Sequence, residues 1–189
     1  VIEKQAELIT HWMRVGFIHG IMNTDNMTLS GETIDYGPCA FMDAYDPGTV
    51  FSSIDHTGRY AYANQPAMAQ WNLARLAETM LPLFDDETEK ATDMAEEAVN
   101  GFGAVYKERS LSMLRAKLGL FGARVEDENL ITDLLDWMQR QDADYTNTFR
   151  DLTKEALPKG EPYDDETFKE WYTRWQARLA KNMEPLKFS

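Results

Sequence analysis

The sequence predicts a mainly α-helical protein with one short β-hairpin set beside a long irregular loop. Two observations lead there. From Asn64 to about residue 181 the apolar residues recur at helical spacing, with only brief Gly interruptions. Before that, residues 26–36 break the helical period: Met27-Thr28-Leu29, a Ser30-Gly31 turn and Thr33-Ile34-Asp35 have the form of a hairpin.

Each element has its own local reason. Residues 2–17 read as a helix with Leu8, Ile9, Trp12 and Val15 on one face, its end bracketed by Gly16 and Gly20. Residues 37–64 are rich in Gly, Pro, Asp, Ser and Asn, and a loop of that length without a period is uncommon unless it is functional. Asn64 is then expected to cap a helix with Pro66 in its first turn, and Ala69, Leu73, Leu76, Met80 and Leu83 continue as a buried stripe. Residues 86–118 read as one long helix or two abutting ones, weak at Gly101 and Gly103 and ended by Gly119 and Gly122. Asp127 is the expected cap of a helix over 127–141, whose buried face is Ile131, Leu134, Leu135 and Met138. A last helix, about 165–181, presents Phe168, Trp171, Tyr172, Trp175 and Leu179 on one face. There is no internal repeat and no low-complexity tract.

A length of 189 residues suits one domain with a sizeable core, or part of a larger one. The net charge of -13 argues against a nucleic-acid binder, which needs clustered Lys and Arg, and against docking on an anionic membrane. A single cysteine, Cys39, excludes an internal disulfide framework and a cysteine-rich zinc site. No window approaches a membrane span. The opening Val1-Ile2-Glu3-Lys4 has neither a signal-peptide pattern nor an initiator methionine, so a cut inside a longer chain is expected.

The stretch that carries chemistry is His19-Gly20-Ile21-Met22-Asn23-Thr24-Asp25-Asn26, followed by Asp35-Tyr36-Gly37. Asn26 and Asp35 flank the hairpin, so their side chains can converge at one end of it. An amide oxygen beside a carboxylate suits magnesium or manganese, which share ligands with substrate phosphates. Asp25, next to that pair, can accept a proton or hold a water. Asp and Asn near a Ser-Gly turn also serve as turn and capping residues, and a lone His as a brace, so spacing alone leaves both readings open. The order His, seven positions to Asn, then Asp-aromatic-Gly resembles the protein-kinase catalytic loop and its metal-binding triplet. The kinase base position, two after the His, is here Ile21, which takes no proton.

Longer motifs narrow this. Gly16-Phe17-Ile18-His19-Gly20 through Asp25-Asn26-Met27, Thr33-Ile34-Asp35-Tyr36-Gly37-Pro38, Phe41-Met42-Asp43-Ala44-Tyr45-Asp46-Pro47, Asp55-His56-Thr57-Gly58-Arg59-Tyr60 and Asn64-Gln65-Pro66-Ala67 through Trp71-Asn72-Leu73 are similar to the selenoprotein O family. The similarity is strong over residues 8–80 and weaker over nearly all the rest. It implies the C-terminal-lobe portion of a protein-kinase-like fold. In that reading residues 1–84 form the lobe core with its metal loop, and 85–189 a helical extension packed on it. The implied activity is transfer of AMP from ATP to Ser, Thr or Tyr hydroxyls of proteins. Asp25 then matches the base, Asn26 and Asp35 match ligands of Mg2+ or Mn2+, and Asp35 also lies against the nucleotide phosphates. His19 keeps a structural role. Asp43, Asp46 and His56 are expected to brace the loop or to position substrate. The family's nucleotide-binding lobe has no counterpart before residue 19, so the chain alone is expected to bind ATP weakly and to transfer little. Cys39 is expected to be an unreactive small residue, and the closing Lys187-Phe188-Ser189 lacks the tail cysteine of some members. Apolar groups around the loop are expected to be exposed and to support self-association. The implied compartment is cytoplasm in a bacterium and mitochondrion in a eukaryote. Two alternatives stay open: a pseudokinase that binds nucleotide without catalysis, and a γ-phosphoryl transferase using Asp25 as a displaced base.

Overall fold

The amphipathic stripes of the sequence become seven helices in the computed structural model, which describes residues 1–183: α1 (Ile2–Val15), α2 (Gln65–Phe84), α3 (Thr88–Asn100), α4 (Phe102–Lys117), α5 (Asp127–Arg140), α6 (Tyr145–Asp151) and α7 (Glu166–Ala180). Two short strands, β1 (Phe17–Ile18) and β2 (Ala40–Phe41), pair antiparallel with Phe17 opposite Phe41 and Ile18 opposite Ala40. Among the described residues no helix is long and apolar enough to cross a membrane. The closing Lys187-Phe188-Ser189 lies outside the described residues.

The chain divides into two compact units, each with its own core. The first comprises Val1–Phe41 and Pro47–Ser110; the second comprises Met42–Asp46 and the chain from Leu111 on, so the division falls within α4.

In the first unit α2 packs on α1 and α3, and β1 lies against α1. Ala6, Ile9 and Trp12 of α1 are buried with Ile18, Met22, Met68, Ala69 and Leu73. The stripes are shorter than their periodicity predicts. Val15 is 47% exposed, Leu83 is 78% exposed, and Leu76 and Met80 are only half-buried. Hydrophobic spacing marks a helix face but not how far a neighbour covers it.

The expected hairpin is also reduced. Met27 and Thr33 form a single antiparallel bridge, while the named strands pair across a connection of more than twenty residues. Asn64 stands at the N-terminus of α2 without capping it; its Nδ2 donates to Gly58 O at 2.6 Å, holding the preceding loop instead. Gly101 separates α3 from α4, one of the two weak points expected there.

The second unit is built on aromatic residues of α5, α6 and α7. Phe168, Trp171 and Trp175 are buried, and the indole N–H groups of Trp171 and Trp175 donate to Leu130 O (2.7 Å) and Leu118 O (2.9 Å). Asp165 and Asp144 cap α7 and α6 through Phe168 N–H and Asn147 N–H. Asp127, expected as a cap, is instead a fully buried ion-pair centre: Arg178 Nε lies 2.6 Å and Arg115 Nε 3.0 Å from its carboxylate. Met42–Asp46 joins this unit through Tyr45 N–H to Ala143 O (2.9 Å) and Tyr145 N–H to Asp43 O (2.7 Å).

Candidate active site

α1 stops at Gly16, left-handed at φ 70°, and the chain turns into β1 and on to His19. His19 is fully buried, its ring centroid 5.3 Å from that of Trp12. Ile21 N–H donates to its Nδ1 at 3.4 Å, so the ring proton sits on Nε2, which lies 2.7 Å from Ile34 O and donates to it. Gln65 fixes the same backbone from α2, its Oε1 accepting from His19 N–H (3.0 Å) and its Nε2 donating to Phe17 O (2.9 Å).

Gly20 lets this loop lie against the segment that follows Asp35. It adopts φ +88°, and a Cβ there would stand 2.8 Å from Pro38 Cγ and 3.1 Å from Pro38 O. Only a residue without Cβ fits.

Thr24–Asn26 form one 3-10 turn, closed by Asn26 N–H to Asn23 O at 3.0 Å. Asn26 is buried and its Nδ2 donates to Ile21 O at 3.0 Å. Asp25 on the same turn is exposed. Asp35 is exposed too, with left-handed backbone at φ 53°, a conformation Asp tolerates better than most residues, and its carbonyl accepts from Gly37 N–H at 2.9 Å. One chain of bonds therefore links the expected ligands: Asn26 to Ile21, Ile21 to His19, His19 to Ile34, and Ile34 to its neighbour Asp35. Among the described residues the carboxylates of Asp25 and Asp35 have no hydrogen-bond or ion-pair partner, and no group of three or more His, Cys, Asp or Glu stands ready for a metal.

Several braces were not legible as site residues. Tyr60 Oη donates to Asn23 Oδ1 at 2.6 Å, Asn72 Nδ2 to Met22 O at 2.9 Å, and Gln5 Nε2 to Thr28 O at 2.5 Å. Tyr60 is itself held by Asp55, whose carboxylate accepts from the N–H groups of Tyr60 (2.8 Å) and Arg59 (2.9 Å). Burial pushes the Asp55 carboxyl up, but those backbone amides outweigh it and hold the pKa below its ordinary value. The signal for Gln5 and Asn72 was present in the sequence: amide side chains on the apolar faces of their helices. Of the loop residues weighed for substrate positioning, Asp43 and Asp46 belong to the second unit, and His56 is exposed with its N–H donating to Ile54 O. Cys39 is a half-buried free thiol whose Sγ–H donates to Tyr36 O at 3.4 Å.

A buried histidine thus joins the Asp25-Asn26 turn to the segment of the left-handed Asp35, and the comparison with known families concerns the chain that carries it. The family model described as protein adenylyltransferase SelO matches residues 1–186. This chain belongs to the SelO family. A protein nucleotidyltransferase YdiU from Nitrosococcus oceani is 62% identical over 189 residues, covering 100% of this chain and 38% of the relative. Those of Alcanivorax borkumensis and Syntrophotalea carbinolica are 58% and 55% identical, again over 100% of this chain and over 39% and 38% of their own lengths. The chain thus spans less than two fifths of the curated relatives it matches. In this chain Asp25 and the oriented Asn26 amide share a turn braced from α1, α2 and the loop, Asp35 lies on the segment that His19 ties to it, and among the described residues both carboxylates are without a partner.

Proposed function

We propose that the whole protein transfers AMP from ATP to Ser, Thr or Tyr hydroxyls of proteins, and that Asp25, Asn26 and Asp35 carry the reaction. The observation that supports it best is the orientation of Asn26. Its Nδ2 is engaged by Ile21 O, which leaves Oδ1 as the atom available to a hard cation. That donor set, an amide oxygen with the free Asp35 carboxylate, fits Mg2+ or Mn2+ bound jointly with nucleotide phosphates. When bound, such an ion neutralises charge on the departing pyrophosphate. Asp35 would lie against the nucleotide phosphates.

The residues of the chain do the rest. Asp25 is exposed and has no partner among the described residues, so it can take the proton of an acceptor hydroxyl. The hydroxyl oxygen forms its bond to the α-phosphorus as the bond from that phosphorus to the bridging oxygen breaks, and pyrophosphate leaves with the electron pair. The kinase-like lobe, its boundary near residue 84, and the role of 85–189 as an extension belong to the same proposal. For the chain by itself the reading gives weak ATP binding and little transfer, because two carboxylates and one amide face a polyanion. Exposed Tyr36, Phe41 and Ile54 fit a surface for self-association.

Ile21, at the position of the kinase base, favours a second reading as a nucleotide-binding module without catalysis. The test uses the full-length protein with α-labelled and γ-labelled ATP in parallel, Mg2+ or Mn2+, and a pool of acceptor proteins. Label retained from the α-position only, and reduced about 10²- to 10⁴-fold in Asp25→Ala and lost in Asn26→Ala and Asp35→Ala, is the expected result. Transfer of γ-label points to phosphoryl transfer; binding without any label leaves the module reading.

A further inference from the structure

Arg59, Arg75 and Glu78 are the only Asp, Glu, Lys or Arg residues from 56 to 84, in a chain of 32 acids and 19 bases. The two arginines meet on one side chain. Trp71 of α2 is 40% exposed, and the Cζ atoms of Arg59 and Arg75 lie 4.9 Å and 5.3 Å from its ring centroid. A guanidinium resting on an aromatic ring is held in place with its N–H edge still free for a carboxylate. Asp55, the nearest acid to Arg59 in sequence, is turned to the backbone, its carboxylate accepting from the N–H groups of Arg59 and Tyr60. Among the described residues the Arg59 guanidinium therefore has no hydrogen-bond or ion-pair partner. Arg75 meets Glu78 at 2.6 Å in a half-exposed pair one helical turn apart, a weak interaction that an incoming acid can replace.

This basic patch borders the turn of Asp25 in two ways. Tyr60, next to Arg59, donates its hydroxyl to Asn23 Oδ1 at 2.6 Å. Arg75 lines the same cavity of the first unit as Thr24.

We propose that Arg59 and Arg75, held on Trp71, bind Asp or Glu side chains of the acceptor protein beside its accepting hydroxyl. This rests on the transferase reading and adds a substrate class to it: hydroxyls in acidic sequence. Charge complementarity favours that occupant. A chain of net charge -13 repels an acidic partner at long range, so its recognition has to be local, and these guanidiniums stand where local acid is scarce.

Three peptides of equal length, each with one central Ser flanked by Glu, Gln or Lys, test this by binding to the full-length protein without nucleotide. The Glu peptide is expected to bind at least about five-fold more tightly than the Gln peptide at about 0.05 M salt. That preference should shrink at about 0.5 M salt and disappear in the Arg59→Gln, Arg75→Gln double variant, while ATP affinity is retained. Equal binding of the Glu and Gln peptides, a preference that survives in the double variant, or loss of ATP affinity in its place overturns the proposal. In the last case the patch belongs to the nucleotide. A Glu preference without label transfer would refute the transferase reading and keep the acidic docking site; label transfer without the preference would do the reverse.

Discussion

Asp127 shows how far one buried charge departs from its local pattern. Its carboxylate accepts from Arg178 Nε (2.6 Å), Arg115 Nε (3.0 Å) and Arg124 N–H (3.0 Å), while Arg178 Nη2 also donates to Gly122 O at 2.5 Å. Removing Arg178 leaves the buried carboxylate with only Arg115 and the Arg124 amide, so Arg178→Ala should cost about 3 kcal/mol in a denaturant titration, the low end for a broken buried pair. Burial pushes the Asp127 carboxyl up, and the Arg178 guanidinium, the Arg124 amide and Arg115 together more than reverse it, holding it below its ordinary 3.8. The fold therefore favours the ionised form. This stabilisation is complete above pH 3.8 and is lost as the pH falls through the lower folded value. Asp127→Asn should flatten the stability curve below about pH 4; an unchanged acid limb would contradict the assignment. At the candidate site, His19→Phe removes the donor to Ile34 O and should weaken metal-dependent nucleotide binding about 10- to 100-fold. Retention of full affinity would mean that His19 does not position the ligand pair. The motif around His19 was legible in the sequence, and so was its bracing role. The Asp127 cluster was not, because an Asp at a helix start has the same local signature whether it caps or pairs with an arginine 51 residues away.

Helices were legible where a long apolar face met a neighbour, as in α1, α5 and α7. The seven-residue α6 was missed, because one cap and one turn give too little period to count. The pairing of β1 with β2 was missed for another reason: its partners are distant in sequence, and nothing local to Phe17 names Phe41. Two glycines test element-level reasoning in opposite directions. Gly103 sits inside α4 with open space where a Cβ would go, so Gly103→Ala should raise stability by about 0.5–1 kcal/mol in chemical unfolding. Gly20 has positive φ and a Cβ there would clash with Pro38, 2.8 Å from its Cγ, so Gly20→Ala should cost about 1–3 kcal/mol and disturb the turn bearing Asp25 and Asn26. Equal effects from the two substitutions would show that neither backbone conformation matters.

At the scale of the whole chain, a net charge of -13 sets a uniform self-repulsion that the ion pairs do not cancel. Raising the ionic strength from about 0.02 M to about 0.5 M should therefore raise the melting temperature, since the Debye length falls well below the spacing of most charges. A fall would show that exposed attractive pairs such as Arg109–Glu3 and Arg174–Asp133 outweigh the excess of acid. The tryptophans are divided unevenly between the two units: Trp137, Trp171 and Trp175 are buried in the second, and Trp12 and the half-exposed Trp71 lie in the first. Trp171 and Trp175 stack at 5.8 Å with their planes 11° apart. Near-parallel indoles at that separation couple as transition dipoles and give an exciton signature in circular dichroism. Trp71, flanked by the guanidiniums of Arg59 and Arg75 at 4.9 and 5.3 Å, is the one indole a soluble quencher reaches readily. The native chromophores are thus a ready-made two-channel optical gauge, in which dichroism follows the aromatic stack and quenching follows the surface of α2.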